Sequence, residues 1–255
     1  MPPLDFSVIT IFPELFTPFS EVGVFGRGIK NGLLSLKTIN PRDFATDNYH
    51  SVDDEPFGGG SGMVFTPFPL YKAIQKSKKS TAGPVIFLTP AGTPLTHSKV
   101  LSLSRLSGMT ILCGRYEGVD QRIVDLFVDE EISIGDYVLS GGEPAAMVIM
   151  DAIARQHAGV VKEADSVEND SFFDGLLDHP HYTRPAEFNR RKVPEVLLSG
   201  DHQRIAQWRM KMKLVETLTK RPDLLLTASL SPEQKKVLIE IREELRKGMM
   251  DEERE

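Results

Sequence analysis

The most constraining feature of this 255-residue chain is a series of short apolar runs that each stop at a glycine loop. Val85-Ile86-Phe87-Leu88 stops at Thr89-Pro90-Ala91-Gly92, Thr110-Ile111-Leu112-Cys113 at Gly114, and the run Ile132 to Ile134 at Gly135-Asp136. Leu4 to Phe12 is rich in β-branched and aromatic residues and reads as a further strand, after which Pro13 opens a short helix. Helices lie between the runs. Val119, Ile123, Val124 and Phe127 have helical spacing, and Pro144 holds a first helical position before the apolar stretch Ala145 to Ala154. Apolar runs that end in glycine loops and alternate with helices predict a parallel α/β sheet.

The character changes between Gly159 and Gly175. Glu163 to Ser171 is acidic and poor in apolar residues, which predicts a linker or lid. Beyond it, Ile205, Trp208, Arg209, Met212 and Val215 have helical spacing, and Pro232-Glu233 starts a last helix after Ser231. The expected organisation is an α/β domain over 1–160, a lid over 161–175 and a helical domain over 176–255, with no internal repeat.

Composition sets outer bounds. With 40% hydrophobic and 26% charged residues the chain is neither disordered nor fibrous. The one cysteine, Cys113, excludes an intrachain disulfide and suits a reducing compartment. It lies in an apolar run and reads as a small buried hydrophobe. The N-terminus lacks a signal-peptide pattern and no apolar stretch can span a bilayer, so a soluble cytoplasmic protein with no membrane partner is expected. The net charge of −6 argues globally against a nucleic-acid binder. The charge is unevenly spread, however. Residues 116–178 hold 3 Lys+Arg against 15 Asp+Glu, whereas residues 179–221 hold 10 against 4, with Tyr182 and Trp208 among them. Global acidity therefore does not exclude an RNA partner.

Several site classes fail on inspection. Gly58-Gly59-Gly60-Ser61-Gly62 has no following Lys-Ser/Thr and is not a P-loop; Met63 stands where a dinucleotide fingerprint needs its third glycine. The Gly26-Arg27-Gly28 loop fails likewise, and no Gly-x-Ser-x-Gly elbow exists. His179 and His181 flank Pro180 without a nearby cysteine or second cluster, so no metal site is assigned.

What remains is the three glycine loops. Ligands of an open parallel sheet bind beyond the carboxyl ends of its strands, so three loops arriving there form one pocket. Glycines allow the main chain to approach a ligand closely. Few of these side chains are cationic, which favours an uncharged, flat or zwitterionic ligand over a polyphosphate.

These residues carry a resemblance. The chain resembles the bacterial tRNA (guanine-N1)-methyltransferases of the SPOUT superfamily. The matching segments include Ile11-Phe12-Pro13-Glu14, Cys113-Gly114-Arg115-Tyr116-Glu117-Gly118, Ser133-Ile134-Gly135-Asp136-Tyr137-Val138-Leu139-Ser140-Gly141-Gly142-Glu143, Asp170-Ser171-Phe172 and Gly175-Leu176-Leu177-Asp178-His179-Pro180-His181-Tyr182-Thr183-Arg184-Pro185. The resemblance covers nearly the whole chain. It implies a SPOUT-type parallel sheet tied in a deep trefoil knot, followed by a small all-α domain. It also implies a homodimer whose sites are shared between subunits, with S-adenosylmethionine as methyl donor. The substrate would be tRNA carrying guanosine at position 37, just 3′ of the anticodon. Mg²⁺ is compatible with this chemistry but is assigned no site.

The resemblance also assigns roles. Guanine N1 carries a proton, so its methylation needs a base, and a donor near O6 helps as charge builds there. The family's base maps to Asp170. Asn169 stands where some members carry another acid, which leaves Asp170 the less ambiguous base. Arg155 maps to O6, and Glu117 to orienting the methyl donor. Pro90, Tyr116, Tyr137 and Leu139 map to the adenine and ribose pocket; Ile134, Gly135, Gly141 and Gly142 map to backbone contacts. Leu88, Thr89, Gly92, Gly114 and Pro144 complete the cofactor set. Arg27, Asp178 and Arg184 are expected to touch tRNA, whose target base would be flipped out and covered by the lid. Two alternatives stand beside this reading. One is a non-catalytic RNA-binding or S-adenosylmethionine-sensing module; the other is a related knotted methyltransferase acting on ribosomal RNA or a ribose 2′-oxygen.

Overall fold

The computed structural model describes residues 3–161 and 170–252. Most of the expected lid, with Asn169, falls on 162–169 and so lies outside the described residues. The chain divides into two compact units, 1–164 and 165–255.

The first unit runs β1 (Leu4–Ile9), α1 (Phe16–Glu21), α2 (Gly23–Lys30), β2 (Leu34–Ile39), β3 (Asp53–Asp54), β4 (Val64–Phe65) and α3 (Pro67–Ser80). It continues through β5 (Val85–Pro94), α4 (His97–Leu103), β6 (Gly108–Cys113), α5 (Gln121–Phe127), β7 (Glu130–Ser133) and α6 (Glu143–Gln156). Five of these strands form one sheet in the order β2-β1-β6-β5-β7, every pair parallel. All six residues of β6 are buried. Successive side chains of a strand point to opposite faces, and the two cores follow that alternation. Phe6, Val8, Ile86, Leu88, Met109 and Ile111 pack under α2, α4 and α6. Ile9, Val85, Phe87 and Leu112 pack under α3 and α5.

Three local expectations need correction. The first strand ends at Ile9 rather than Phe12. The Thr10 hydroxyl accepts the Phe12 N–H at 2.9 Å, and that turn leads into the 3₁₀ helix Pro13–Leu15. The Gly26-Arg27-Gly28 segment is not a loop but part of α2. Glycine is a poor helix residue, yet packing demands it here. A Cβ on Gly26 would lie 2.5 Å from the Glu21 carbonyl carbon, and one on Gly28 would lie 2.6 Å from a Leu34 methyl. Third, Thr89-Pro90-Ala91-Gly92 does not end its strand. Leu88 and Thr93 both pair with Ile132, so the four residues between them are extruded from β5, which then resumes. Gly92 stands where the strand rejoins, with no room for a Cβ 2.4 Å from the Ile132 nitrogen.

The second unit contains β8 (Glu187–Phe188), β9 (Arg191–Lys192), α7 (Glu195–Leu198), α8 (His202–Lys220) and α9 (Pro232–Glu252). Leu176, Leu214, Leu238 and Ile241 form its core. Asp201 caps α8 by accepting the Gln203 and Arg204 N–H groups. The unit is helical as expected, apart from the β8–β9 hairpin, whose turn residues Asn189 and Arg190 have positive φ. Among the described residues no helix is long and apolar enough to cross a membrane.

Candidate active site

The three glycine loops meet. Beyond β5, β6 and β7 lies a cavity of about 440 Å³, within the range of small-molecule sites. Leu88, Thr89 and Pro90 line it from the first loop, and Gly114, Tyr116 and Glu117 from the second. Ile134, Gly135, Tyr137, Leu139, Gly141 and Gly142 line it from the third. Two expected cofactor residues do not. Gly92 is committed to the resumed strand, and Pro144 lies in the first turn of α6.

The loops are held together by close main-chain contact. Gly142 donates its N–H to the Gly114 carbonyl at 2.9 Å. A Cβ on Gly142 would lie 2.8 Å from Cys113 Cα, so only glycine permits this approach. Gly135, at φ +148°, lies beneath the Tyr137 ring. Glu117 donates its N–H to the Met63 carbonyl at 2.9 Å, and its side chain covers Gly62. The glycine run that failed as a phosphate loop thus braces the second loop.

A buried ionic network lies behind these loops. The Glu143 side chain is fully buried at the start of α6, where the helix dipole favours an anion. It accepts the Thr10 hydroxyl at 2.8 Å and Arg115 Nε at 2.9 Å. Arg115 also donates Nη1 to the Ser140 carbonyl at 2.9 Å and stacks 4.6 Å over the Phe12 ring. A buried carboxylate without such partners would cost several kcal/mol, roughly. The network ties the end of β1 to the second and third loops. Among the described residues Arg115 is the one cation lining the cavity, and Glu143 neutralises it. The cavity therefore presents backbone groups, apolar walls and the Glu117 carboxylate without a net cation, which fits a ligand that joins a positive centre to a flat aromatic part. The sequence reading missed both Arg115 and Glu143; an acid heading an otherwise apolar helix was the available signal.

Two ionisable groups here are shifted. Burial first, and then the charge of Glu143, push the Cys113 thiol well above its ordinary value. Burial and then Asp53 raise the Tyr116 phenol, whose ring packs edge-on against Phe65 at 5.2 Å.

The other expected site residues are distributed over both units. Arg155 is half-buried in the last turn of α6. Asp170 is half-buried near the start of the second unit. Arg27 is exposed on α2, and Arg184 is exposed in the second unit. Asp178 accepts the His179 N–H at 2.7 Å and contacts His181 Nε2 at 2.9 Å.

Known proteins share this sequence and fold. The family model for tRNA (Guanine-1)-methyltransferase TrmD matches residues 4–227. A tRNA (guanine-N(1)-)-methyltransferase of Aromatoleum aromaticum is 51% identical over 245 residues, covering 94% of this chain and 93% of that protein. One from Buchnera aphidicola is 50% identical over 238 residues, covering 93% and 91%. The crystal structure of tRNA (m1G37) methyltransferase from Aquifex aeolicus superposes with a TM-score of 0.72 at 41% identity, covering 88% of this chain and 95% of that one. With a family model spanning most of its length and relatives at half identity, this chain belongs to the tRNA (guanine-1)-methyltransferase family.

Proposed function

We propose that this protein transfers a methyl group from S-adenosylmethionine to N1 of guanosine at tRNA position 37. The observation that carries the reading is the convergence of three glycine loops on one cavity without a net cation, in a chain of this family. When bound, S-adenosylmethionine supplies a methyl group activated on a sulfonium. Pro90, Tyr116, Tyr137 and Leu139 would hold its adenine and ribose, and the backbone at Gly114, Ile134, Gly135, Gly141 and Gly142 would meet its polar edges. Leu88 and Thr89 also line the cavity, and Glu117 would orient the methyl-bearing end.

The remaining chemistry falls to two side chains. Asp170 accepts the N1 proton of guanine, which makes that nitrogen a competent nucleophile. Arg155 holds O6, where negative charge grows as the proton leaves. Arg27, Asp178 and Arg184 contact the RNA, and the basic block 179–221 attracts its phosphates. The lid at 161–175 joins the α/β part, 1–160, to the helical part, 176–255, and covers the flipped base. The same reading gives a cytoplasmic homodimer with shared sites. It also gives a trefoil knot.

The test is methyl transfer from labelled donor to tRNA transcripts with guanine or adenine at position 37. Only the guanine transcript should be methylated; equal labelling of both would overturn the substrate assignment. Asp170→Ala should lose turnover while keeping donor affinity. Turnover within a few-fold of the parent would remove Asp170 from the base role.

A further inference from the structure

Asp178, His179 and His181 each offer one ligand atom, and the three atoms lie within 4.8 Å of one another. His181 Nε2 is 2.9 Å from Asp178 Oδ2, and His179 Nε2 is 3.8 Å from Asp178 Oδ1. Two imidazoles and a carboxylate so close need only small side-chain rotations to surround one ion at bond lengths of about 2.0–2.2 Å.

The surroundings orient these donors. Asp178 donates its N–H to Ser171 Oγ at 2.9 Å, which fixes the main chain that carries it. His179 donates its N–H to Asp178 Oδ1 at 2.7 Å. His179 Nδ1 lies 3.1 Å from the Pro180 carbonyl. A proton on Nδ1 satisfies that carbonyl and leaves Nε2 as the free lone pair, the outer-shell arrangement typical of metal-bound histidine. The Asp178 and His179 side chains are mostly buried, at 19% and 13% exposure, while His181 is 72% exposed. That combination gives a fixed base, an entry path and an open coordination position.

We propose that Asp178, His179 and His181 bind a divalent transition cation of the zinc class. Imidazole and carboxylate donors suit such ions. The site accounts for a difficulty in the proposed RNA contact, because a bare carboxylate repels phosphate. With an ion bound, Asp178 is neutralised and the open position accepts a phosphate oxygen. This second step rests on the proposed tRNA reading; the ion site rests on the geometry alone.

Trp208 is the single tryptophan of the chain, and its ring centre lies 6.1 Å from that of His179. Its fluorescence therefore reports a paramagnetic ion in the cluster. Titration of the full-length protein with Co²⁺ should quench it saturably at one equivalent, and Zn²⁺ should reverse the quenching. His181→Ala and Asp178→Asn should each weaken Co²⁺ binding about tenfold or more, whereas His202→Ala should leave it unchanged. Absence of saturable quenching, or equal affinity in His181→Ala, would overturn the site. At fixed Mg²⁺, one equivalent of Zn²⁺ should tighten tRNA binding by the parent but not by His181→Ala. If quenching holds and tRNA binding does not respond, the ion site stands and its RNA role falls.

Discussion

Glu143 and Arg115 stand 28 positions apart in sequence, and nothing local to either names the other. Glycine at a strand end is legible because the residue itself marks the conformational demand, which is why Gly114, Gly135, Gly141 and Gly142 were found from sequence. The ion pair behind them was not legible, because a charge in a motif reads as exposed until its partner is known. Its energetic weight follows from burial. Replacing Glu143 with alanine strands Arg115 and the Thr10 hydroxyl. Arg115 keeps 18% side-chain exposure and its bond to Ser140, so the cost belongs at the low end for a broken buried pair, about 3 kcal/mol. Denaturant unfolding of Glu143→Ala should show that loss, and Glu143→Gln a smaller one. Loss of less than about 1 kcal/mol in the alanine variant would mean that the pair stabilises little.

Four of the five strands of the main sheet are legible because burial on both faces removes polar residues from them, as β6 shows without interruption, whereas the edge strand β2, with Lys37 and Thr38 exposed, carries no such run. The β8–β9 hairpin was not readable, since two residues per strand carry no period. The segment Gly26 to Gly28 was misread because glycine pairs signal loops; α2 keeps them for close packing against Glu21 and Leu34. Of the run Thr89 to Gly92, Thr89 and Pro90 line the cavity while Ala91 and Gly92 do not, and β5 resumes beyond it, which a Thr-Pro-Ala-Gly run does not suggest. At this scale the decisive contact is Gly142 against Cys113 and Gly114. Both neighbouring groups are main chain and cannot rotate away from a new methyl. Gly142→Ala should therefore push the third loop off the second, destabilising the first unit by about 1–3 kcal/mol. Donor affinity, measured calorimetrically, should fall about tenfold with it. Unchanged affinity would show that the third loop tolerates displacement.

Across the whole molecule, the first unit joins distant parts of the chain. β1 pairs in parallel with β6, Asp5 opposite Gly108, and the Thr10–Glu143 hydrogen bond spans 133 positions. Parallel, non-local pairing of this kind folds slowly. A cavity walled by the last loop to arrive binds only the finished unit, so the donor should stabilise the native state alone. Saturating S-adenosylmethionine should then leave the refolding rate unchanged and slow unfolding; at one hundred times its dissociation constant the stabilisation is about 2.7 kcal/mol. Stopped-flow refolding that accelerates with donor concentration would contradict this order. The network described behind the loops carries a further consequence for synthesis. A ribosome that has just completed β7 has made every strand of the main sheet, but not the carboxylate that anchors Arg115. Unfinished copies thus have their sheet sequence in hand without the third loop or its anchor, and on the proposed reading they take up the donor only after residues 134–143 have been made.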